Sequence, residues 1–143
     1  MIVKFRKINE HARTPIKSTD GAAAFDLFNS GENVIICSGE AKFIHTGIKM
    51  EIPKGYAGFI YARSGLGCKH GIVPRNCVGV IDSDYRGEII VCLYNHGSFD
   101  YLINYGDKVA QLVISIIPDV TLEEVDSLSE TRRNDNGFGS TGK

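Results

Sequence analysis

ARSGLGCKHGIVPRNCVGVIDSDYRGE, Ala62–Glu88, sets several kinds of polar chemistry between short apolar runs. Arg63 carries a planar fork suited to phosphate oxygens. Ser64 and Gly65 add a hydroxyl and a backbone able to approach an anion closely. Ser64 to Lys69 is expected to form a turn of helix, whose free N–H groups favour an anion. Asn76 offers an amide that both donates and accepts, as recognition of a base edge requires. Val78 to Ile81 reads as a strand that ends in Asp82-Ser83-Asp84-Tyr85-Arg86-Gly87. The two carboxylates at that strand-to-turn junction suit a general base, a metal or the turn alone. An aspartate followed by serine and glycine is ordinary turn chemistry, and a lone arginine is ordinarily a surface residue.

On either side of this stretch the chain reads as short strands. Tyr56 to Tyr61 delivers Arg63, after a turn at Pro53-Lys54-Gly55. From Ile44 to Ile52 the alternation has period two, with Ile44, Thr46, Ile48, Met50 and Ile52 on one face, and this predicts one half-buried strand. His45 falls on its polar face and reads as solvated. Ile2–Phe5, Val34–Cys37 and Phe99–Ile103 are further strand candidates. Ile89–Tyr94 reads as buried on both faces. Val109–Ile117 is an apolar strand containing Gln111, and a buried amide wants a partner. Many short strands with few helical patterns give an all-β class.

Composition narrows the function. The 143 residues suit a single domain with its own core. A net charge of −1 does not mark a general nucleic-acid binder, so direct nucleic-acid binding is not expected. No apolar run approaches transmembrane length, and the N-terminus lacks a signal-peptide pattern, so a cytoplasmic protein is expected. Cys37, Cys68, Cys77 and Cys92 show no CxxC spacing and are expected to be free thiols. Asp119–Ser129 is acidic and ends the folded body. Beyond it the pattern has no apolar period and only one aromatic, Phe138, which predicts a body over residues 1–128 and a mobile tail over 129–143.

ARSGLGCKHGI and NCVGVIDSDYRGE together resemble the second and third signature motifs of the homotrimeric dUTP pyrophosphatases, or dUTPases. The second departs at Ala62, where that family usually has proline. Ala24-Phe25-Asp26-Leu27 is similar to the first motif, with Ala24 replacing glycine. Gly106-Asp107-Lys108-Val109-Ala110-Gln111-Leu112 is similar to the fourth. Arg133 through Gly142 is similar to the fifth, with Asn134 and Asn136 in place of glycines, and asparagine tolerates left-handed backbone better than most residues. The motifs run in family order from Ala24 to Gly142.

The resemblance implies a distorted jelly-roll β-barrel, a homotrimer and sites shared between subunits. It implies hydrolysis of dUTP to dUMP and pyrophosphate, with Asp82 as the general base holding the attacking water. Asp84 supports the turn. Asn76, the backbone of Gly79, Val80 and Ile81, and Ile90 read the uracil. Tyr85 lies beneath the deoxyribose and leaves no room for a 2′-hydroxyl. Arg63, Ser64, Gly65 and Gln111 hold phosphates of a substrate bound to another subunit. Arg133, Phe138, Gly139, Ser140 and Thr141 close over the nucleotide. Mg²⁺ is expected on the phosphates and waters, with Asp26 at most an indirect partner. A dCTP deaminase-like enzyme and a dUTPase-like regulator that binds a protein partner are the alternatives. The first needs a glutamate acid-base where this chain has the Asp82 motif.

Overall fold

The computed structural model describes residues 1–137. In chain order its elements are β1 (Lys4–Lys7), β2 (Phe25–Phe28), β3 (Val34–Ile36), β4 (Ala41–His45), β5 (Ile48–Glu51), β6 (Tyr56–Tyr61), α1 (Ser64–His70), β7 (Ile72–Pro74), β8 (Gly79–Ile81), β9 (Ile90–Asn95), β10 (Tyr101–Ile103) and β11 (Lys108–Ile116). The all-β expectation holds. Every ladder is antiparallel, in four sheets ordered β1-β5, β10-β3, β2-β11-β6-β8 and β4-β9-β7. These ladders do not join into a closed barrel among the described residues.

Ile44–Ile52 is two strands rather than one. Gly47 adopts a left-handed φ of 67°, and a Cβ there would sit 2.6 Å from that of Ala12. The chain therefore turns between β4 and β5, and only glycine fits the turn without strain. Thr46, buried in the turn, donates its hydroxyl to the Ile89 carbonyl at 2.6 Å. The apolar alternation survives the break because Ile44, Ile48, Met50 and Ile52 all reach the core.

β9 also differs from its apolar appearance. Val91, Leu93 and Asn95 are buried, whereas Ile90 is 43% exposed and Cys92 and Tyr94 are half-buried. The outer face of β9 is the floor of a cleft, so it is apolar without being core. The core proper is aliphatic, with Leu27, Ile36, Ile44, Ile48, Ile72, Leu93, Ile103 and Leu112 almost wholly buried. Each such side chain contributes about 1.5–3 kcal/mol by leaving water. All four cysteines are free thiols.

β11 organises the polar end of the molecule. It pairs with β2 on one side and β6 on the other, setting Gln111 opposite both Asp26 and Tyr61. β6 leads through Ala62 into Arg63, the N-cap of α1. Residues remote in sequence thus converge because one strand has two neighbours.

Candidate active site

Two polar groupings emerge from this framework. The first is a cleft of about 350 Å³ between β8, the turn that follows it and the outer face of β9. Asn76, Gly79, Val80, Ile81, Asp82, Tyr85 and Ile90, all singled out from the sequence, line it. Gly79 is there for space, since a Cβ would lie 3.1 Å from the Ile60 Cβ and 3.5 Å from Asn76 Nδ2. Between Asn76 and β8 the backbone doubles back through Cys77, at φ 63°, with the Val78 N–H donating to the Asn76 carbonyl at 2.7 Å. A left-handed non-glycine residue costs roughly 1–2 kcal/mol, and such strain collects at functional sites.

The turn after β8 is closed by its own atoms. Tyr85 N–H donates to the Asp82 carbonyl at 3.2 Å, and Arg86 donates to the carbonyls of Ser83 at 2.7 Å and Tyr85 at 2.9 Å. The Tyr85 hydroxyl donates to the Glu88 carbonyl at 3.0 Å. A Cβ at Gly87 would collide with the Tyr85 ring, so the ring lies against bare backbone. Asp82 is exposed and makes no ion pair among the described residues. It borders both the cleft and a wider groove of about 1120 Å³, whereas Asp84 lines only the groove.

The second grouping centres on Asp26, which is almost fully buried. Its Oδ2 receives the Lys108 ammonium at 2.7 Å and the Ser18 hydroxyl at 2.7 Å. Its Oδ1 faces Arg63 Nε at 3.3 Å and the Gln111 amide at 3.5 Å. Burial pushes this carboxyl up, but the hydrogen bonds from Lys108 and Ser18 and the charges of Lys108 and Arg63 outweigh it. They hold the carboxyl below the usual aspartate range. Arg63 also donates through Nη1 to the Lys108 carbonyl at 3.1 Å. Its guanidinium is thus turned onto the protein here. Ser64 and Gly65 are exposed at the start of α1, whose first turn receives no side-chain cap from Arg63.

The cleft contains none of Arg63, Ser64, Gly65 or Gln111. Arg133, in the exposed tail, donates through Nε to the Asn136 carbonyl at 2.9 Å. Asn134 has a φ of 40°, a left-handed backbone that asparagine tolerates, where the motif ordinarily has glycine. Phe138, Gly139, Ser140 and Thr141 lie outside the described residues.

Among the described residues no three histidine, cysteine, aspartate or glutamate side chains group closely enough to hold a metal ion. Asp26 has both oxygens committed to cations and donors. The described side chains therefore do not form a magnesium cage.

Sequence reasoning missed several participants. Phe43 and Cys92, paired across β4 and β9, line the cleft. Glu88 lines it too, and His45, expected to be merely solvated, has its Nδ1 2.9 Å from Glu88 Oε2. Glu88 closes the quoted stretch and was in plain view, but its partner is remote in sequence. Lys108 and Ser18 gave no signal because their role depends on where Asp26 is buried.

The family model for dUTPase matches residues 10–142. A deoxyuridine 5′-triphosphate nucleotidohydrolase of Nautilia profundicola is 48% identical over 143 residues, covering 100% of both chains. Among solved structures, a Staphylococcus bacteriophage 80alpha dUTPase with dUPNHPP superposes with a TM-score of 0.91 at 26% identity, covering 99% of each chain. A mutant dUTPase from phage phi11 of S. aureus, described with a structural Mg(II) ion, superposes with a TM-score of 0.82 at 28% identity, covering 89% of this chain and 98% of that one. The chain belongs to the dUTPase family.

Proposed function

We propose that this chain hydrolyses dUTP to dUMP and pyrophosphate, keeping uracil out of DNA and supplying dUMP for dTMP synthesis. The observation that carries the reading is Asp82. In a chain of this family it is a carboxylate with no ion pair among the described residues, at the rim of a nucleoside-sized cleft. Asn76, the backbone of Gly79 to Ile81, and Ile90 receive the uracil, and Tyr85 presents its ring to the deoxyribose. Asp82 accepts a proton from water as that water's oxygen bonds to the α-phosphorus. The bond from the α-phosphorus to the bridging oxygen breaks, and pyrophosphate leaves with that oxygen. Such a base contributes about 10²–10⁴-fold.

The phosphate-binding residues, Arg63, Ser64, Gly65 and Gln111, are outside this cleft, which fits a homotrimer in which they serve a nucleotide seated on another subunit. Arg63 then has to exchange its inward hydrogen bond for phosphate oxygens. In that assembly the four sheets make up a jelly-roll barrel over residues 1–128, and the segment 129–143, with Arg133, Phe138, Gly139, Ser140 and Thr141, closes over the nucleotide. When bound, Mg²⁺ would be held by the triphosphate oxygens and waters, with Asp26 at most an indirect partner, and would neutralise phosphate charge. Among the described residues no helix is long and apolar enough to cross a membrane, and we place the enzyme in the cytoplasm, or in the host-cell compartment of DNA synthesis if the source is viral.

The test is incubation of the pure protein with dUTP and with dCTP, assaying pyrophosphate and ammonia, alongside sedimentation for the trimer. Pyrophosphate from dUTP without ammonia from dCTP is expected. Ammonia release would replace this reading with the deaminase, and inertness toward both nucleotides would favour the regulator.

A further inference from the structure

Glu88 joins two parts of the molecule that the reaction needs held in register. Its side chain is only 16% exposed, so its charge requires partners. It has two, one at the end of β4 and one in the link to β5. Oε1 accepts the Gly47 N–H at 2.8 Å, and Oε2 lies 2.9 Å from His45 Nδ1. A carboxylate only accepts, so Nδ1 carries the proton and donates. That link is itself fixed to the core. The His45 carbonyl accepts both the N–H of Ser30 at 2.8 Å and its hydroxyl at 3.1 Å, and Thr46 holds the Ile89 carbonyl. The left-handed Gly47 aims its N–H at Glu88 only because no Cβ fits there.

At its other end Glu88 meets the sugar platform. Its carbonyl receives the Tyr85 hydroxyl, and bare Gly87 lies under the ring. The other hydrogen bonds seen within the turn are internal to it: Tyr85 to Asp82, and Arg86 to Ser83 and Tyr85. Internal bonds give a turn its shape but not its place. The carboxylate of Glu88 helps give it place, tying the turn to His45 and Gly47 beside the Ile89 N–H, which donates to the Ile48 carbonyl at 2.8 Å.

We propose that Glu88 is a positioning residue for sugar selectivity. Oriented by His45 and the Gly47 N–H, it fixes the height of the Tyr85 ring and so enforces rejection of a 2′-hydroxyl. The inference rests on the dUTP reading above and deepens it. A ring free to sink by even 1 Å opens space for the added oxygen, and displacements of that size cost up to about a hundredfold in rate.

The experiment compares kcat/KM for dUTP and for UTP in wild type, E88A, E88Q and H45A, with thermal melting of each. In E88A the dUTP-to-UTP ratio should fall roughly tenfold or more, with a raised KM for dUTP. E88Q retains an acceptor for Gly47 and a polar contact for His45, so its ratio should stay within about threefold of wild type. H45A keeps the Gly47 bond and should fall between them. General destabilisation lowers both substrates together and leaves the ratio alone. An E88A enzyme with the wild-type ratio, or an E88Q as unselective as E88A, would overturn the proposal. Should E88A not fold, an unchanged ratio in H45A overturns it. A wild type inert toward dUTP sinks the parent reading, whereas an active wild type with an indifferent E88A sinks only this inference.

Discussion

Asp26 and Asp82 are aspartates with opposite assignments. Asp26 is buried and committed to Lys108, Ser18 and Arg63. Asp82 is exposed and makes no ion pair among the described residues. A base must have a lone pair to spare, so we assign the chemistry to Asp82. Asp82→Asn keeps the shape and loses the basicity; it should bind a non-hydrolysable dUTP analogue normally and turn dUTP over about 10²–10⁴-fold more slowly. Near-normal turnover in steady-state assays would remove Asp82 from its role. Asp26→Asn strands Lys108 and Arg63 without their counter-charge and should cost on the order of 3 kcal/mol in urea denaturation. Its pH signature follows from the lowered carboxyl. The stabilisation is complete above the unfolded-state value of about 4 and is lost as pH falls through the lower folded-state value. Wild type should therefore lose stability over that acid range more steeply than the asparagine variant. Tyr85 is read as a steric gate, so Tyr85→Ala should accept UTP far better relative to dUTP, and an unchanged kcat/KM ratio would refute the gate.

At the scale of elements, the break between β4 and β5 is the most consequential local feature. It turns one alternating segment into two strands and aims the Gly47 N–H at Glu88. Gly47→Ala combines a left-handed φ with a clash against Ala12, Ser30 and Asn9. We expect a loss of about 2 kcal/mol or more, read as a lowered Tm. β9 makes the companion point. Its outer residues Ile90 and Cys92 are apolar because they floor the cleft, not because they are core. Runs apolar on both faces ordinarily mean a buried strand, and periodicity has no way to separate that case from a binding floor.

For the whole molecule, the cleft and the Asp26 grouping have separate linings on one chain, which supports the proposal of a site shared between subunits. Removing Arg133 to Lys143 should leave the fold and the proposed trimer intact, because the described part of this tail is exposed apart from half-buried Gly137, yet abolish most dUTP turnover. Ordering a glycine-rich segment costs entropy, which the nucleotide has to offset. dUDP, lacking a γ-phosphate, should protect the tail from limited proteolysis less well than a non-hydrolysable dUTP analogue. Full activity in the truncated enzyme, or equal protection with and without ligand, would rule out a closing tail.

The sequence by itself determined the all-β class, the span of β6, the helical turn after Arg63 and seven of the residues that line the cleft, Asn76, Gly79, Val80, Ile81, Asp82, Tyr85 and Ile90. Those features are local: strand period, turn chemistry and a contiguous run from Asn76 to Tyr85 that carries its own geometry. The tolerance of asparagine for left-handed backbone belongs to its side chain, and Asn134 makes use of it. Only the tertiary structure decided that Gly47 splits a strand, because the obstruction is Ala12, far away in the chain. It alone joined His45 to Glu88 and Lys108 to Asp26. Those contacts come from strand pairing between distant segments, and a pattern read along one segment contains no information about what will lie across from it.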